Sequence, residues 1–436
     1  MSGKQSNESL AQIQTLLTRY VREANEWTHF SERNTALNAE RFVQIVVLGW
    51  LKHKSASLNE LAHAAQALGS CITGAALHER MDKQAVMLLA SVLALALEGL
   101  HSTCPLPLTK LQQFRGIYVT DSTQIALPPA LAPLFRGNHD NSMVKLQVVW
   151  DYLKGHLAAL ELTEGRQPDQ KCRLHIDHAQ ADSLQLFDLG YFKQEHLRDI
   201  DQQGAFFVCR YQSQTALYTA EDTQCLEVQQ WLRGLTENTA QCLLLVGGRV
   251  KLPVRLVVRR LPAQAAAARR RKAKTKAKKQ GKTCSAAYRW LLGWDLLLTN
   301  LPADQWTLEQ VLALYPIRTQ IEWVFRTWKD QLGMDELGNW RVERILCQLY
   351  AHLLGALLCH LLTAAWRWRA GEYSWLKSVQ IIQARIGELL HCLARQGRGS
   401  LAWLKRLEGD FQRFARKSKR RKSPSTTQSL YNWGLS

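Results

Sequence analysis

The stretch Y-P-I-R-T-Q-I-E-W-V-F-R-T-W-K, residues 315–329, spaces Tyr315, Arg318, Glu322 and Lys329 at steps of three, four and seven. On a helix turning about 100° per residue, these four side chains fall within about 60° of one another. Ile317, Ile321, Val324 and Trp328 gather on the opposite side, an apolar stripe suited to packing on a core. The spacing therefore predicts a helix that presents one carboxylate, flanked by two cations and a phenol, from a buried support. A carboxylate beside cations suits a metal ion together with a phosphate backbone. The plainer alternative is a solvated polar face with an Arg–Glu pair at i,i+4.

Two aspartates upstream favour the first reading. Gly116–Thr120 is a short β-type run ending in Asp121-Ser122-Thr123, and Leu184–Phe187 is another, ending in Asp188-Leu189-Gly190-Tyr191. The carboxyl ends of strands are where open α/β sheets expose functional groups, although a lone Asp after a strand also serves as a turn or N-cap residue. With Glu322 they make three carboxylates able to converge on one sheet edge. Three carboxylates can hold two hard divalent cations through oxygen ligands. Two such ions about 4 Å apart stabilise both the attacking and the leaving oxygen of an in-line phosphoryl displacement. No thiol or imidazole is needed, in keeping with the absence of a convincing His/Cys cluster. Val144–Asp151 and His156–Leu162 read as strands joined by a hairpin-type turn at Lys154-Gly155, and Ala205–Tyr211 reads as a further strand. Strands mixed with helices in this order indicate an α/β domain whose sheet begins with a hairpin meander.

The flanking regions are of other kinds. Residues 1–105 are helix-rich, with Ser57 and Glu60 forming a capping box and Gly69 able to end that helix before a second short one. Helix, glycine turn, helix is the shape of a DNA reader, and equally of any helical hairpin. Residues 216–300 interrupt the α/β pattern with β-like runs at Cys242–Val246 and Val254–Val258. They also hold a low-complexity run from 265 to 282, nine of whose eighteen residues are cationic. That run reads as a mobile loop, for solubility or for contact with a polyanion. Helices resume after residue 300. The chain closes with a helix carrying an apolar stripe at Ile381, Ile382, Ile386, Leu389 and Leu390, and then a basic tail.

Composition agrees with a polyanionic partner. The 436 residues include 56 Lys+Arg against 37 Asp+Glu, a formal net charge of +19 that points to nucleic acid. Ten cysteines never form a C-x-x-C pair, which argues against a zinc ribbon and for small buried residues in a reducing cytoplasm. The N-terminus lacks the apolar core of a signal peptide. The apolar stretches Ala85–Leu100 and Leu349–Ala365 read as buried core helices of a soluble protein rather than membrane spans.

Tyr315-x2-Arg318-x3-Glu322-x6-Lys329 resembles the Tyr-Arg-Glu-Lys signature of bacterial DDE transposases of the IS-four (insertion sequence four) family. Asp121 within T-D-S-T and Asp188 within D-L-G-Y match that family's first and second acidic motifs, and the resemblance runs from about Gly116 to Arg344. It implies an RNase H-like α/β catalytic core in two parts, 106–215 and 301–370. A β-rich insertion at 216–300 would separate them, with helical regions at 1–105 and 371–436 on either side. It further implies that Asp121, Asp188 and Glu322 are catalytic residues binding two Mg²⁺ ions, for which Mn²⁺ substitutes. Tyr315, Arg318 and Lys329 would grip phosphates near the cleaved end. Trp294 becomes the candidate to stack on a displaced base, with Trp290 as a rival and a core role as the alternative. Arg210 would contact DNA or a carboxylate. The expected function is metal-dependent cleavage and transfer of double-stranded DNA by a homodimer on paired transposon ends, in the bacterial cytoplasm at the nucleoid. A related nuclease and a non-catalytic DNA-binding protein stand as alternatives.

Overall fold

The structure, a computed structural model, describes residues 3–31, 37–100, 108–138, 141–219, 224–279, 281–364, 373–417, 426–433 and 435. Most of the basic tail lies outside these. Among them are strands β1 Ile117–Leu127, β2 Ser142–Asp151, β3 His156–Glu164, β4 Leu184–Phe187, β5 Phe206–Arg210, β6 Leu217–Thr219, β7 Thr239–Val246, β8 Leu252–Arg260 and β9 Trp294–Thr299. The chain forms two compact units. One, mainly helical, comprises Met1–Pro107, Ser122–Gln167 and Thr319–Ser423; the other, built on a sheet, comprises Leu108–Asp121, Pro168–Arg318 and Pro424–Ser436.

In the sheet unit the strand order is β1-β4-β5-β9-β8-β7-β6. β1 and β4 run parallel, with Ile117–Thr120 beside Leu184–Phe187, and β4 and β5 are parallel too. β9, β8, β7 and β6 follow antiparallel. The expected mixture of strands and helices is thus a mixed α/β sheet. All four residues of β4 are buried, as befits a strand covered on both faces. Phe187, Phe207, Leu256 and Leu298 join one apolar cluster, so the strands of the 216–300 segment share a core with the parallel strands.

The basic run at 265–282 differs from the expectation of a mobile loop. Ala263–Lys279 is an α-helix. Alanine, lysine and arginine are strong helix formers, and Ala266 N–H donates to the carbonyl of Pro262 in the first turn. The helix is tied to the sheet by one carboxylate. Asp295 on β9 accepts from Arg269 at 2.6 Å and from Arg259 at 2.7 Å, while Arg270 donates to the Arg289 carbonyl. Burial raises the Asp295 pKa, but hydrogen bonds and charge from Arg259 and Arg269 outweigh it and hold the carboxyl below its ordinary range. A depressed pKa contributes stability that is present above the unfolded value near 4 and lost as pH falls through the folded one. Asp295→Asn is therefore expected to destabilise the protein at pH 7 by about 1–3 kcal/mol. The deficit should begin to shrink below about pH 4, where the unfolded carboxyl takes up a proton while the folded one stays charged, and should go on shrinking until the pH passes the depressed folded value. Denaturant melts at about pH 7 and about pH 2.5 check this; equal deficits at both would refute it.

In the helical unit, Val342–Ala364 packs against the helices Ala39–Lys52 and Lys83–Gly99 and against β3. By length and composition it is apolar enough to cross a membrane, yet 89% of its most apolar window is buried inside the protein. The helix Trp375–Ala394 buries Ile382, Ile386, Leu389 and Leu390 of the apolar stripe against its own unit. Ser57 and Glu60 form the expected capping box of the helix Leu58–Ala67, and Gly69 follows it at φ +74°. β2 and β3 pair as a hairpin. β2 ends at Asp151 and β3 begins at His156, as the sequence suggested; in the turn between them the buried Asp151 carboxylate accepts from the N–H groups of Leu153 and Lys154, and Gly155 takes φ +72°. Cys172, Cys209, Cys347, Cys359 and Cys392 are buried as expected, whereas Cys71 and Cys225 are exposed; Cys104 lies outside the described residues.

Candidate active site

The parallel register of β1 and β4 positions the two aspartates. Thr120 and Phe187 are the last partners, so Asp121 and Asp188 are the next residues on adjacent strands. β1 does not end at Thr120 as the sequence suggested; it continues to Leu127 once it has left β4. Asp188 leads instead into a single 3₁₀ turn, Leu189–Tyr191.

A second element of the same unit meets them. The segment read from the sequence as one α-helix is a 3₁₀ helix over Tyr315–Thr319 followed by an α-helix over Gln320–Asp330. Pro316 has no N–H to give to the preceding helix, Leu308–Leu314, and the chain tightens there. In a 3₁₀ turn residues i and i+3 eclipse, so Tyr315 and Arg318 lie on one side. Both are buried, at 8% and 7% exposure, rather than forming a uniform solvated stripe with Glu322. Arg318 Nη1 donates to Asp121 Oδ2 at 3.0 Å. The guanidinium of Arg210, exposed at the end of β5, lies 5.6 Å from the Tyr315 ring. Burial, and to a lesser extent the Asp188 charge, push the Tyr315 phenol far above its ordinary range despite Arg210 and Arg318, so it stays protonated. Its hydroxyl and the Asp188 Oδ1 atom are both buried with no hydrogen-bond partner among the described residues. The sheet unit thus gathers Asp121, Asp188, Arg210, Tyr315 and Arg318.

Glu322 and Lys329 belong to the helical unit. Ile317, Ile321, Val324 and Trp328 are buried as the stripe predicted, and Glu322 is exposed. Lys329 is held: its Nζ donates to the Gln124 carbonyl on the second half of β1 at 2.7 Å, and Gln124 Nε2 donates to the Gly165 carbonyl. Nothing in the spacing of 315–329 signalled that main-chain partner. Trp294 takes the core alternative. It is 6% exposed, with Arg260 on its ring at 4.9 Å and Trp290 tilted against it at 6.3 Å. Trp290 is half-buried beside the same cluster. Among the described residues no three Asp, Glu, His or Cys side chains gather as a metal-binding group; the gathered carboxylates are the two aspartates, one of them on Arg318.

The family model for the transposase DDE domain matches residues 112–358. The transposase for insertion sequence element IS231B of Bacillus thuringiensis subsp. berliner is 24% identical over 442 residues, covering 93% of this chain and 91% of that one. The IS231F transposase of Bacillus thuringiensis subsp. israelensis is 27% identical, covering 67% and 66%. The IS1151 transposase of Clostridium perfringens is 23% identical, covering 76% and 74%.

Proposed function

The chain belongs to the transposase DDE family, and from that membership we propose how its polar residues divide the work. It is an enzyme that cleaves and joins DNA strands, as transposases of insertion sequences do. In our reading it excises its element and inserts it elsewhere, with Asp121, Asp188 and Glu322 as joint metal ligands. The RNase H-like core comprises residues 106–215 and 301–370, and β6–β9 belong to its insertion at 216–300. The observation that carries this is the pair of aspartates at neighbouring parallel strand ends, with Asp188 Oδ1 buried and unpartnered. A buried carboxylate oxygen without a donor is costly, and a cation is the partner its chemistry fits. Two divalent ions of the magnesium class, bound by oxygen ligands, would supply charge at the attacking and leaving oxygens of the phosphoryl displacement.

The remaining residues act on phosphate. Arg318 neutralises Asp121 in the free protein and is the charge released when a cation takes its place. The protonated Tyr315 phenol donates to a phosphate oxygen, and Arg210 beside it adds a cation. Lys329 spends one of its three donors on Gln124 and aims the others at the strand being cut. The test is DNA carrying the element's inverted repeats, incubated with the protein, Mg²⁺ or Mn²⁺ and a target plasmid. Cleaved ends joined to the plasmid are expected. Cleavage without joining would reduce the enzyme to a nuclease, and binding without cleavage to a non-catalytic protein.

Moving a segment requires both ends, so the active form is a homodimer on paired end DNA. Light scattering is expected to give two protomers per two ends; one protomer on one end under cleaving conditions would refute this. The helix Ala263–Lys279 adds affinity without sequence choice. Replacing Arg271, Lys272, Lys274, Lys276, Lys278 and Lys279, all exposed, by Gln spares the Arg269 and Arg270 anchors. It should flatten the slope of log affinity against log salt by about 0.9 for each phosphate no longer neutralised. An unchanged slope would leave the helix a solubilising element.

A further inference from the structure

A cavity of about 760 Å³ opens in the helical unit between the start of the helix Leu58–Ala67, the helix Gly74–Glu79 and the first turns of Val342–Ala364. Arg344 lines it. This residue is 7% exposed, its Nε is buried with no acceptor, and no described carboxylate pairs with it. Its neighbour Arg341 is occupied: Nη2 donates to the carbonyls of Met81 at 2.8 Å and of His78, on the helix Gly74–Glu79 and just past it. Arg344 instead sits over Trp340, its Cζ 3.6 Å from the ring centroid, and Trp340 as a whole remains 46% exposed. Gly338 makes this possible, because a Cβ there would meet Trp340 Nε1 at 2.1 Å.

The rest of the lining suits an anion with a polar body. Asn59, Gln348 and Ser55 contribute amides and a hydroxyl. Burial first, then Arg341 and Arg344, lower the His78 pKa, so its imidazole is neutral near pH 7, and its Nδ1 is buried without a partner. The carboxylate on the lining, Glu336, is already paired with Lys54. A buried guanidinium with no counter-charge is costly, and it is the group best shaped to hold phosphate through two parallel N–H bonds. A bare phosphate would fill little of a space in the size range of small-molecule sites. An aromatic face is what a nucleobase stacks on.

We propose that this cavity binds a nucleotide unit of a DNA strand, with its phosphate on Arg344 and its base on Trp340. The inference rests on the reading that the chain acts on DNA, and it adds a DNA-binding site that the acidic motifs and the Tyr-Arg-Glu-Lys signature do not supply.

The experiment uses the full chain and a fluorescent single-stranded oligonucleotide, read by anisotropy at fixed salt without divalent metal. Arg344→Met is expected to weaken binding about tenfold, the loss of one charge-assisted interaction. A merely structural Arg344 would instead lower the melting temperature, whereas removing an unpaired buried charge leaves it unchanged or higher. Trp340→Leu, at a half-exposed ring, should weaken binding about threefold to tenfold. Photocrosslinking of a 5-iododeoxyuridine oligonucleotide to the wild-type chain requires no variant and should label the peptide containing Trp340. Unchanged affinity in both variants with no label there would overturn the proposal. So would Arg344-dependent binding of deoxyadenosine monophosphate or inorganic phosphate without binding of the oligonucleotide, since the source would then be a free anion. A wild-type chain that binds no DNA would overturn this inference and the DNA reading together, whereas full binding by both variants sinks the inference alone.

Discussion

Glu322→Gln is expected to lower DNA cleavage by at least about a thousandfold, the upper end of what one electrostatic group contributes, while DNA affinity and melting temperature hold. Glu322 is exposed on a helix whose packing face is Ile321, Val324 and Trp328, so the substitution leaves the core packing untouched. Exposed substitutions of this kind change stability by no more than about 0.5 kcal/mol. The amide keeps the shape and removes the charge that a divalent ion needs from its ligand. Single-turnover cleavage of end DNA in Mn²⁺, with anisotropy binding in parallel, separates the two roles. Cleavage within tenfold of wild type would remove Glu322 from the metal set. Lost binding would make it a positioning residue for DNA.

The parts of this architecture visible in the sequence are those written in short stretches. The apolar runs at 116–120 and 184–187 each lead into an aspartate, which makes Asp121 and Asp188 visible in the sequence, whereas their adjacency rests on the parallel pairing of β1 with β4. The apolar stripe of 317–328 was equally plain. What escaped depends on partners far along the chain. The cationic run became a helix because it is rich in alanine and because Asp295, 26 residues past Arg269, anchors it; a charge count sees neither. Trp294 was weighed as a stacking platform, yet Arg260 on the neighbouring strand covers it. The burial of Tyr315 and Arg318 turns on Pro316, which converts an α turn to a 3₁₀ turn, so a single helical period drawn through 315–329 overstated how alike the four polar residues are. Arg344 was hidden by its setting: W-R-V-E-R at 340–344 opens an apolar helix, and reading that helix for its core passed over the cations in its first turn.

Asp188→Asn is expected to abolish cleavage and, in metal-free buffer, to raise the melting temperature of the protein. Asp188 Oδ1 is buried without a hydrogen-bond partner among the described residues, so that oxygen bears a desolvation cost that no described hydrogen bond offsets in the free protein. A neutral amide of the same shape bears less of it. A gain of about 1 kcal/mol corresponds to about 2–4 °C for a unit of 150–250 residues. Metal reverses the order. A divalent ion that binds the native state alone stabilises the wild type by about 1.4 kcal/mol at ten times its Kd, and the variant should gain little of this. The two melting curves are therefore expected to cross as Mg²⁺ or Mn²⁺ is added. If Asp188 were only the residue that starts the 3₁₀ turn at Leu189, Asn would serve there as well: the metal-free melting temperature would not rise, and both proteins would respond to metal alike. That pattern would withdraw Asp188 from the metal site whatever happened to cleavage, because it reads the carboxylate through stability and not through turnover.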